Sequence, residues 1–375
     1  MRSNSIQRIC LIALAVIALT GCKKENLQTA PDNPGDDPPP AGNPADVIRV
    51  KLQAVVTIGT ITYDSIPARW QIISWDAGNV AHQRDTLLAA GVQTIAVPKG
   101  HTRFQFSMTK WGISDNITLE KAQLQENVVY TLGGQKAAKR LSQEAHFLYV
   151  IDTYQPSAKI VYNYNTSGLS TIVMYQKKPQ SADLQLIQKQ RFSYTGSNVS
   201  RIAVSDASDN ATGFTDFTYN AQGTKITNMH QKSYDVETFA AVEHSYLPGA
   251  AEVAIDFLYN NGHSMAYKMQ LKGGNKISDR AISSTGAGEG GTYTYDFNIN
   301  PYAHMNKPDI FLSGLSKNNR TGEQKHYGGS VPMAVVYKSE YRYDDEGYPV
   351  ELIQYYKGYL SGEHLYKTKT VFTYL

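Results

Sequence analysis

A short aromatic motif that recurs along the second half of the chain constrains its fold most strongly. Two aromatic residues stand two positions apart and a glycine follows four residues later, at Tyr162–Gly168, Phe217–Gly223 and Tyr341–Gly347. Residues two apart lie on one face of a strand, and a glycine adopts the positive φ that many tight turns require. An alternating apolar segment follows each glycine, so each copy predicts one antiparallel hairpin.

Partial copies extend the same pattern. Phe192–Gly196 is a shortened copy, and Tyr293–Phe297 and Phe372–Tyr374 keep only the aromatic half. The spacing between copies is irregular, which argues against a strict solenoid. The hairpins together predict a large antiparallel sheet with open edges.

One segment interrupts the strand pattern. In Pro308–Lys317, the apolar residues Ile310, Phe311 and Leu315 stand at helix-like offsets. We predict a short helix here that covers an open end of the sheet, because an unprotected edge strand pairs readily with other chains.

The aromatic segments also resemble a known group of proteins. The resemblance rests on Tyr293–Asp296, Asn300–Tyr302, Ser316–Asn319, Tyr343–Pro349 and Phe372–Tyr374. They resemble the tyrosine/aspartate (YD) repeats of Rhs-type proteins and, more closely, Bacteroidetes lipoproteins of the DUF4595 type. The resemblance covers roughly residues 145–375 and implies a large curved antiparallel sheet. It implies no known activity.

The preceding region predicts a smaller β domain. Residues 46–138 contain six or seven short segments rich in β-branched and aromatic residues, separated by turn residues. This pattern predicts an immunoglobulin-like β-sandwich, followed by a connector at 139–145 and the repeat domain at 146–375. Trp70, Trp75 and Trp111 all lie in the sandwich segment. They fit a small core, and the alternative is a surface that stacks on sugars.

The N-terminus predicts a lipid anchor. Arg2 and Arg8 precede an uncharged apolar run, Ile9–Leu19, that is too short to span a bilayer. It fits a secretory signal, and Leu19–Cys22 resembles the lipobox of bacterial lipoproteins. The resemblance implies a signal peptide at 1–21 and lipidation of Cys22, and multiple acyl chains anchor a protein stably. The alternative is a plain signal peptide with an incidental cysteine.

The segment after the anchor predicts a spacer and a location. Within the predicted tether at 22–45, residues 29–44 are rich in Pro, Asp and Gly and lack the large apolar side chains needed for a core. This layout resembles Bacteroidetes lipoproteins, so we expect the outer membrane. Only Glu25 is acidic in the segment where a surface-export signal has two acids, which leaves the leaflet open.

Composition excludes several functions. The formal charge of +3 falls to +1 once Arg2 and Arg8 leave with the signal peptide, so no basic field attracts nucleic acid. The only cysteines are Cys10, which is removed, and Cys22. Cysteine proteases and thiolate metal sites are therefore excluded. We expect no cofactor and no metal. The acidic turn Asp344–Glu346 offers oxygen ligands for calcium, but aspartate is also common in turns.

The surplus of tyrosine is the remaining lead, since the chain has 26 Tyr against 11 Phe and 3 Trp. Tyr355, Tyr356, Tyr359 and Tyr366 cluster near the C-terminus beside lysines, and aromatic side chains facing water suit sugar rings. We expect a non-enzymatic, lipid-anchored envelope binding or scaffold protein, with a glycan or an envelope protein as its partner and no catalytic residue. The alternatives are an envelope polysaccharide hydrolase, which needs two carboxylates across a cleft, and a structural partner of an outer-membrane complex.

Overall fold

The computed structural model describes residues 46–375, except 179–180, 224, 235, 248–249, 261, 284–287, 289, 309–315, 328–332 and 359–363. Within these residues the chain is all β, apart from the short 3₁₀ turns Lys121–Gln123 and Pro301–His304. None of the described helices is long and apolar enough to cross a membrane. The predicted helix at Pro308–Lys317 lies mostly outside the described residues.

Residues 46–136 form two four-stranded sheets around one core. The strands are β1 (Val47–Ile58), β2 (Ile61–Tyr63), β3 (Ala68–Trp75), β4 (Ala81–Leu88), β5 (Gln93–Pro98), β6 (Arg103–Lys110), β7 (Ile113–Glu120) and β8 (Val129–Lys136). One sheet has the order β4-β3-β6-β7. The other is β2-β1-β5 with β8 added parallel to β1. Strict alternation in β1 and β6 points Val50, Leu52, Phe104 and Phe106 into this core.

The remaining sixteen strands close into a single barrel. They are β9 (Leu141–Val150), β10 (Thr153–Asn165), β11 (Gly168–Lys177), β12 (Leu184–Thr195), β13 (Asn198–Asp206), β14 (Ala211–Tyr219), β15 (Ile226–Ser233), β16 (Val236–Leu247), β17 (Ala250–Tyr259), β18 (Ser264–Lys272), β19 (Asn275–Ser283), β20 (Gly290–Ile299), β21 (Asn318–Tyr327), β22 (Met333–Tyr343), β23 (Pro349–Gly358) and β24 (His364–Tyr374). Each strand pairs antiparallel with the next, and β24 pairs with β9.

The predicted fold class, an immunoglobulin-like sandwich followed by an open sheet with one helix, is therefore wrong. The repeat region has no open edge because its first and last strands pair, with Val371 opposite Ala145. Closure satisfies the backbone groups that an edge strand leaves unpaired. The N-terminal sheets contain the parallel β1–β8 pair, whereas the two sheets of an immunoglobulin fold are antiparallel.

The repeated tyrosines face the barrel interior and brace neighbouring hairpins. The Tyr194 hydroxyl donates to the Leu169 carbonyl at 2.7 Å, about one hairpin earlier in the chain. Equivalent bonds, 2.6 to 3.0 Å long, come from the hydroxyls of Tyr164, Tyr219, Tyr295, Tyr341 and Tyr374. Much of the tyrosine surplus is thus structural, because each phenol fills the interior and satisfies a backbone carbonyl there.

The barrel interior is apolar over much of its circumference. One cluster packs around Tyr162, Ile172 and Phe192, and a second around Ile255 and Phe257. Because strand neighbours point to opposite faces, the residues next to these in sequence point outward.

Several outward strand positions carry charges. Arg201 pairs with Asp216, with Nε to Oδ1 at 2.5 Å. Lys189 and Arg191 of β12 reach Asp209 in the β13–β14 turn, at 2.8 Å and 2.7 Å. Membrane-spanning barrels carry an apolar outer band, so these ion pairs lie where such a band would face lipid.

The two-sheet unit caps one end of the barrel. Trp111 lies directly against the β22–β23 turn, where a Cβ added to Gly347 would sit 2.2 Å from the indole Nε1. Ile299 and Tyr348 of the barrel belong to the same buried cluster as the sandwich core. Trp70 and Trp111 are buried in that core. Trp75 is half-buried and stacks beneath Arg103, at 4.2 Å.

The acidic turn is part of this cap. Lys139 Nζ lies 2.8 Å from Asp344 and 2.7 Å from Glu346, and Lys136 lies 2.7 Å from Glu346. Asp344 Oδ1 also accepts hydrogen bonds from the backbone N–H groups of Glu346 and Tyr348. These carboxylates are occupied by lysines and by their own turn, which gives the cluster a structural role.

Candidate functional site

A cavity of about 420 Å³ lies inside the barrel. Inward residues of β9 and β22–β24 form its walls, and the turn that follows β20 forms its floor. Its lining includes His146, Ser157, Tyr302, Arg320, Tyr341, Leu352, Gln354, Tyr356, Thr368, Thr370 and Phe372. The volume falls within the range of small-molecule sites, about 300–1,000 Å³.

The floor is held by a 3₁₀ turn that enters the barrel. Asn300 caps this turn by accepting a hydrogen bond from the Tyr302 N–H at 3.1 Å, and its Nδ2 donates to the Ser316 carbonyl at 2.6 Å. Pro301 supplies the fixed φ that suits a first helical position. The Tyr302 ring then packs edge-on against Phe372, with ring centroids 6.4 Å apart.

A buried carboxylate lies beneath the floor. Glu144, only 3 % exposed, accepts hydrogen bonds from the hydroxyls of Tyr162 and Tyr302. Burial, followed by the charge of Glu144, raises the pKa of Tyr162 and of Tyr302 above the usual range. Both phenols therefore stay protonated and donate to the carboxylate.

His146 lies between the cavity wall and the buried carboxylate. Its Nδ1 is 3.0 Å from the Thr370 hydroxyl. Its Nε2 is buried and lies 3.1 Å from a Glu144 oxygen. The imidazole therefore connects Thr370 of the wall with Glu144 beneath the floor.

Strand β23, which pairs with β24, carries mainly neutral hydrogen-bonding groups in the cavity wall. Gln354 Nε2 donates to Ser339, and the Tyr356 hydroxyl donates to Gln354 Oε1, both at 3.4 Å. The only cation named in the lining, Arg320, pairs with Glu323 at 3.2 Å and stacks 4.3 Å from the Tyr293 ring. The cavity thus offers hydroxyls, an amide and aromatic rings, with its positive charge already balanced.

The predicted tyrosine cluster divides between the two faces of the barrel wall. Tyr356 faces inward and lines the cavity. Tyr355 faces outward and donates to Glu340 at 3.0 Å, and burial followed by that hydrogen bond raises its pKa to about 12. Tyr359 lies outside the described residues. Tyr366 pairs with Tyr356 in the β23–β24 ladder. Sequence reasoning missed His146, Thr370 and Gln354, because nothing local marks them before the barrel closes.

No three His, Cys, Asp or Glu side chains in the described part of the chain lie together as a metal site. Comparison with known proteins gives no matching family model and no matching curated protein. The DUF4595 and YD-repeat resemblance, and the lipid anchor, therefore stay predictions.

Solved structures show distant similarity. A porin-like protein from Bacteroides uniformis aligns with a TM-score of 0.44 and 11% identity, over 63% of this chain and 98% of that chain. A porin-like protein from Bacteroides vulgatus aligns with a TM-score of 0.37 and 11% identity, over 63% and 99%. The pilus adhesin SpaC from Lactobacillus rhamnosus GG aligns with a TM-score of 0.15 and 12% identity, over 65% and 40%. These low scores carry no functional conclusion for this chain.

Proposed function

We propose that this protein is a lipid-anchored envelope protein of the outer membrane that binds a neutral saccharide inside its barrel. The observation that carries the proposal is the 420 Å³ cavity, lined by neutral hydrogen-bonding groups and aromatic rings. A small sugar presents many hydroxyls and a weakly apolar ring face, and it matches such a lining.

The electrostatics of the lining favour a neutral ligand over an acidic one. Arg320 is the strongest positive charge at the wall, and Glu323 compensates it at 3.2 Å. Glu144 places a further negative charge beneath the floor. Bringing a carboxylate or phosphate into this site would require desolvation, and none of the described lining residues supplies a free cation to offset it.

The placement beside the membrane, rather than across it, rests on the outer face of the barrel. Arg201, Asp216 and Arg191 occupy outward positions within strands that would face lipid in a spanning barrel, and Arg191 reaches Asp209 in the β13–β14 turn. Charged substitutions at the lipid-facing midplane cost about 2–4 kcal/mol each for Arg or Lys. A tether from Cys22 would hold such a barrel in water near the bilayer.

The test is calorimetric titration of the mature chain, carrying Cys22→Ser, with a panel of neutral mono- and disaccharides. Thr368→Phe fills the cavity from β24, whereas Thr373→Phe places the same ring on the exposed outer face of the same strand. We expect Thr368→Phe to weaken binding at least tenfold and Thr373→Phe to leave it unchanged.

Equal loss of binding in both variants would mean that the effect is not local to the cavity. Binding of no sugar in the panel would refute the saccharide proposal and would leave the scaffold role. Shortening of an added polysaccharide during incubation would instead identify a hydrolase.

A further inference from the structure

Two hairpin tips at one end of the barrel expose apolar residues in a strained backbone conformation. Ile151, at the β9–β10 turn, has φ +45° and is 86% exposed. Tyr234, which follows β15, has φ +53° and is 63% exposed. Positive φ is uncommon outside Gly, Asn and Asp, and for a β-branched residue such as isoleucine it is a clear outlier. A turn selected only for folding in water would carry Asn or Gly here.

These two tips belong to the same end of the barrel. Strand β9 starts beside the cap and runs away from it, and successive antiparallel strands alternate in direction. The ends of β9 and β15 therefore lie opposite the cap, at an end that we call the far rim. Val150, Val236 and Leu258 are also exposed at the far rim, at 37%, 51% and 54%.

Aromatic rings and lysines lie on the outer face just behind the Ile151 tip. Tyr149 and Tyr154 meet edge to face, with ring centroids 5.1 Å apart. Lys367 Nζ lies 3.8 Å from the Tyr149 ring, and Lys369 Nζ lies 4.6 Å from the Tyr154 ring. The Tyr154 hydroxyl has no hydrogen-bond partner among the described residues.

From this arrangement we infer that the far rim docks onto the surface of a lipid bilayer. Exposed Ile and Val at the tips reach the acyl boundary, tyrosines lie at the headgroup level, and lysines meet anionic headgroups. A bilayer explains the strained apolar turns, the aromatic pair and the lysines together. A protein partner would not explain why apolar residues at the tips are followed by tyrosines and then by lysines with increasing distance from the far rim.

The predicted tether is compatible with this contact. A Pro-rich spacer from Cys22 to Asp46 reaches roughly 75 Å when extended. The twelve residues of β1, which runs from Asp46 towards the barrel, span about 40 Å, and a barrel strand of ten residues spans about 33 Å. Lipidation at Cys22 therefore leaves the far rim free to meet the bilayer. The inference is independent of the saccharide proposal, because no far-rim residue named here lines the cavity.

The test is sedimentation of the full mature chain carrying Cys22→Ser with vesicles of phosphatidylcholine, alone or mixed with phosphatidylglycerol. Ile151→Asn and Tyr234→Asn replace each strained residue by one that accepts positive φ. We expect each to fold at least as stably as the parent chain and to bind vesicles about tenfold more weakly. Lys367→Gln with Lys369→Gln should weaken binding to the mixed vesicles only.

Leu87→Asn is the matched control, because Leu87 is 67% exposed on the two-sheet unit and should not contact lipid. Failure of the parent chain to sediment with either vesicle would overturn the inference. So would equal binding by the Ile151→Asn and Tyr234→Asn variants. Light scattering of the parent chain gives a further check, since a dimer lost on Ile151→Asn would identify a second copy as the true partner.

Discussion

Replacing Gly347 by alanine probes the contact between the cap and the barrel. Gly347 has φ +83°, and its added Cβ would lie 2.2 Å from Trp111 Nε1 and 2.4 Å from Cδ1. Ordinary van der Waals contact begins at about 3.4 Å, so the indole must move by about 1 Å. The ring has little room, because it is 6% exposed and meets Tyr63 at 5.2 Å between centroids.

The magnitude has two parts. An L-residue in the left-handed region costs about 1–2 kcal/mol, and forcing a buried ring to shift costs about 1–3 kcal/mol. Gly91 allows the backbone cost to be measured separately from the cost of shifting the ring. It also has φ +83°, but nothing lies within 4 Å of its added Cβ. We expect Gly91→Ala to lose only the first part and Gly347→Ala to lose both, about 2–5 kcal/mol.

The assay is urea unfolding of the chain, followed by tryptophan fluorescence and circular dichroism. In a Trp111→Phe background, Gly347→Ala should cost no more than Gly91→Ala, because the smaller ring yields space. If Gly347→Ala and Gly91→Ala destabilise equally within about 0.5 kcal/mol, Trp111 does not pack on the turn and the cap is wrongly placed.

Three further outcomes test other parts of the account. Burial lowers the pKa of His304 from 6.5 to about 4. The unfolded chain then takes up the extra proton first, and stability should fall by up to about 3 kcal/mol as pH drops from 6.5 to 4; His304→Gln should remove that slope from denaturant titrations. Tyr194→Phe leaves the Leu169 carbonyl unpaired and should cost about 1 kcal/mol, whereas Tyr355→Phe on the outer face should cost less in the same assay. Lys139→Met should lower stability by about 1 kcal/mol in low salt and by less in 1 M salt, because screening weakens the ion pairs it removes.

The local pattern was enough to find hairpins. The copies at Tyr162–Gly168, Phe217–Gly223 and Tyr341–Gly347 each lie at an antiparallel turn in the structure. Positive φ at Gly168, Gly223 and Gly347 gives the reason that these positions are glycine. Period-two alternation and turn chemistry act over a few residues, so one sequence reveals them.

Closure of the barrel could not be predicted from the sequence. It depends on pairing between Leu141–Leu148 and Thr368–Tyr374, which are more than 200 residues apart. Either strand alone looks like an ordinary edge, so an open sheet was the natural prediction. The cavity could not be predicted from the sequence for the same reason, because His146 and Gln354 line one cavity only after the barrel closes.

Strand alternation decides which tyrosines of β23 face the cavity, because Tyr355 and Tyr356 pair regularly with Lys338 and Tyr337. Alternation also predicts from the sequence that part of the tyrosine cluster faces water. Of the two adjacent residues, Tyr356 lines the cavity and Tyr355 faces outward.

The orientation of the barrel wall, with the Arg191 and Arg201 ion pairs outside and the buried apolar clusters inside, is the central claim, and cysteine labelling tests it most directly. Lipidation at Cys22 would leave a mature chain without a free thiol, so single cysteines report their own surroundings. Arg191 is outward and exposed, and Val199 is inward and 1% exposed. In envelopes with the outer membrane made permeable but its lipids intact, a water-soluble maleimide should label Arg191→Cys rapidly and Val199→Cys only after unfolding. Protection of Arg191→Cys until detergent is added would contradict the account and would mean that lipid covers the outer face.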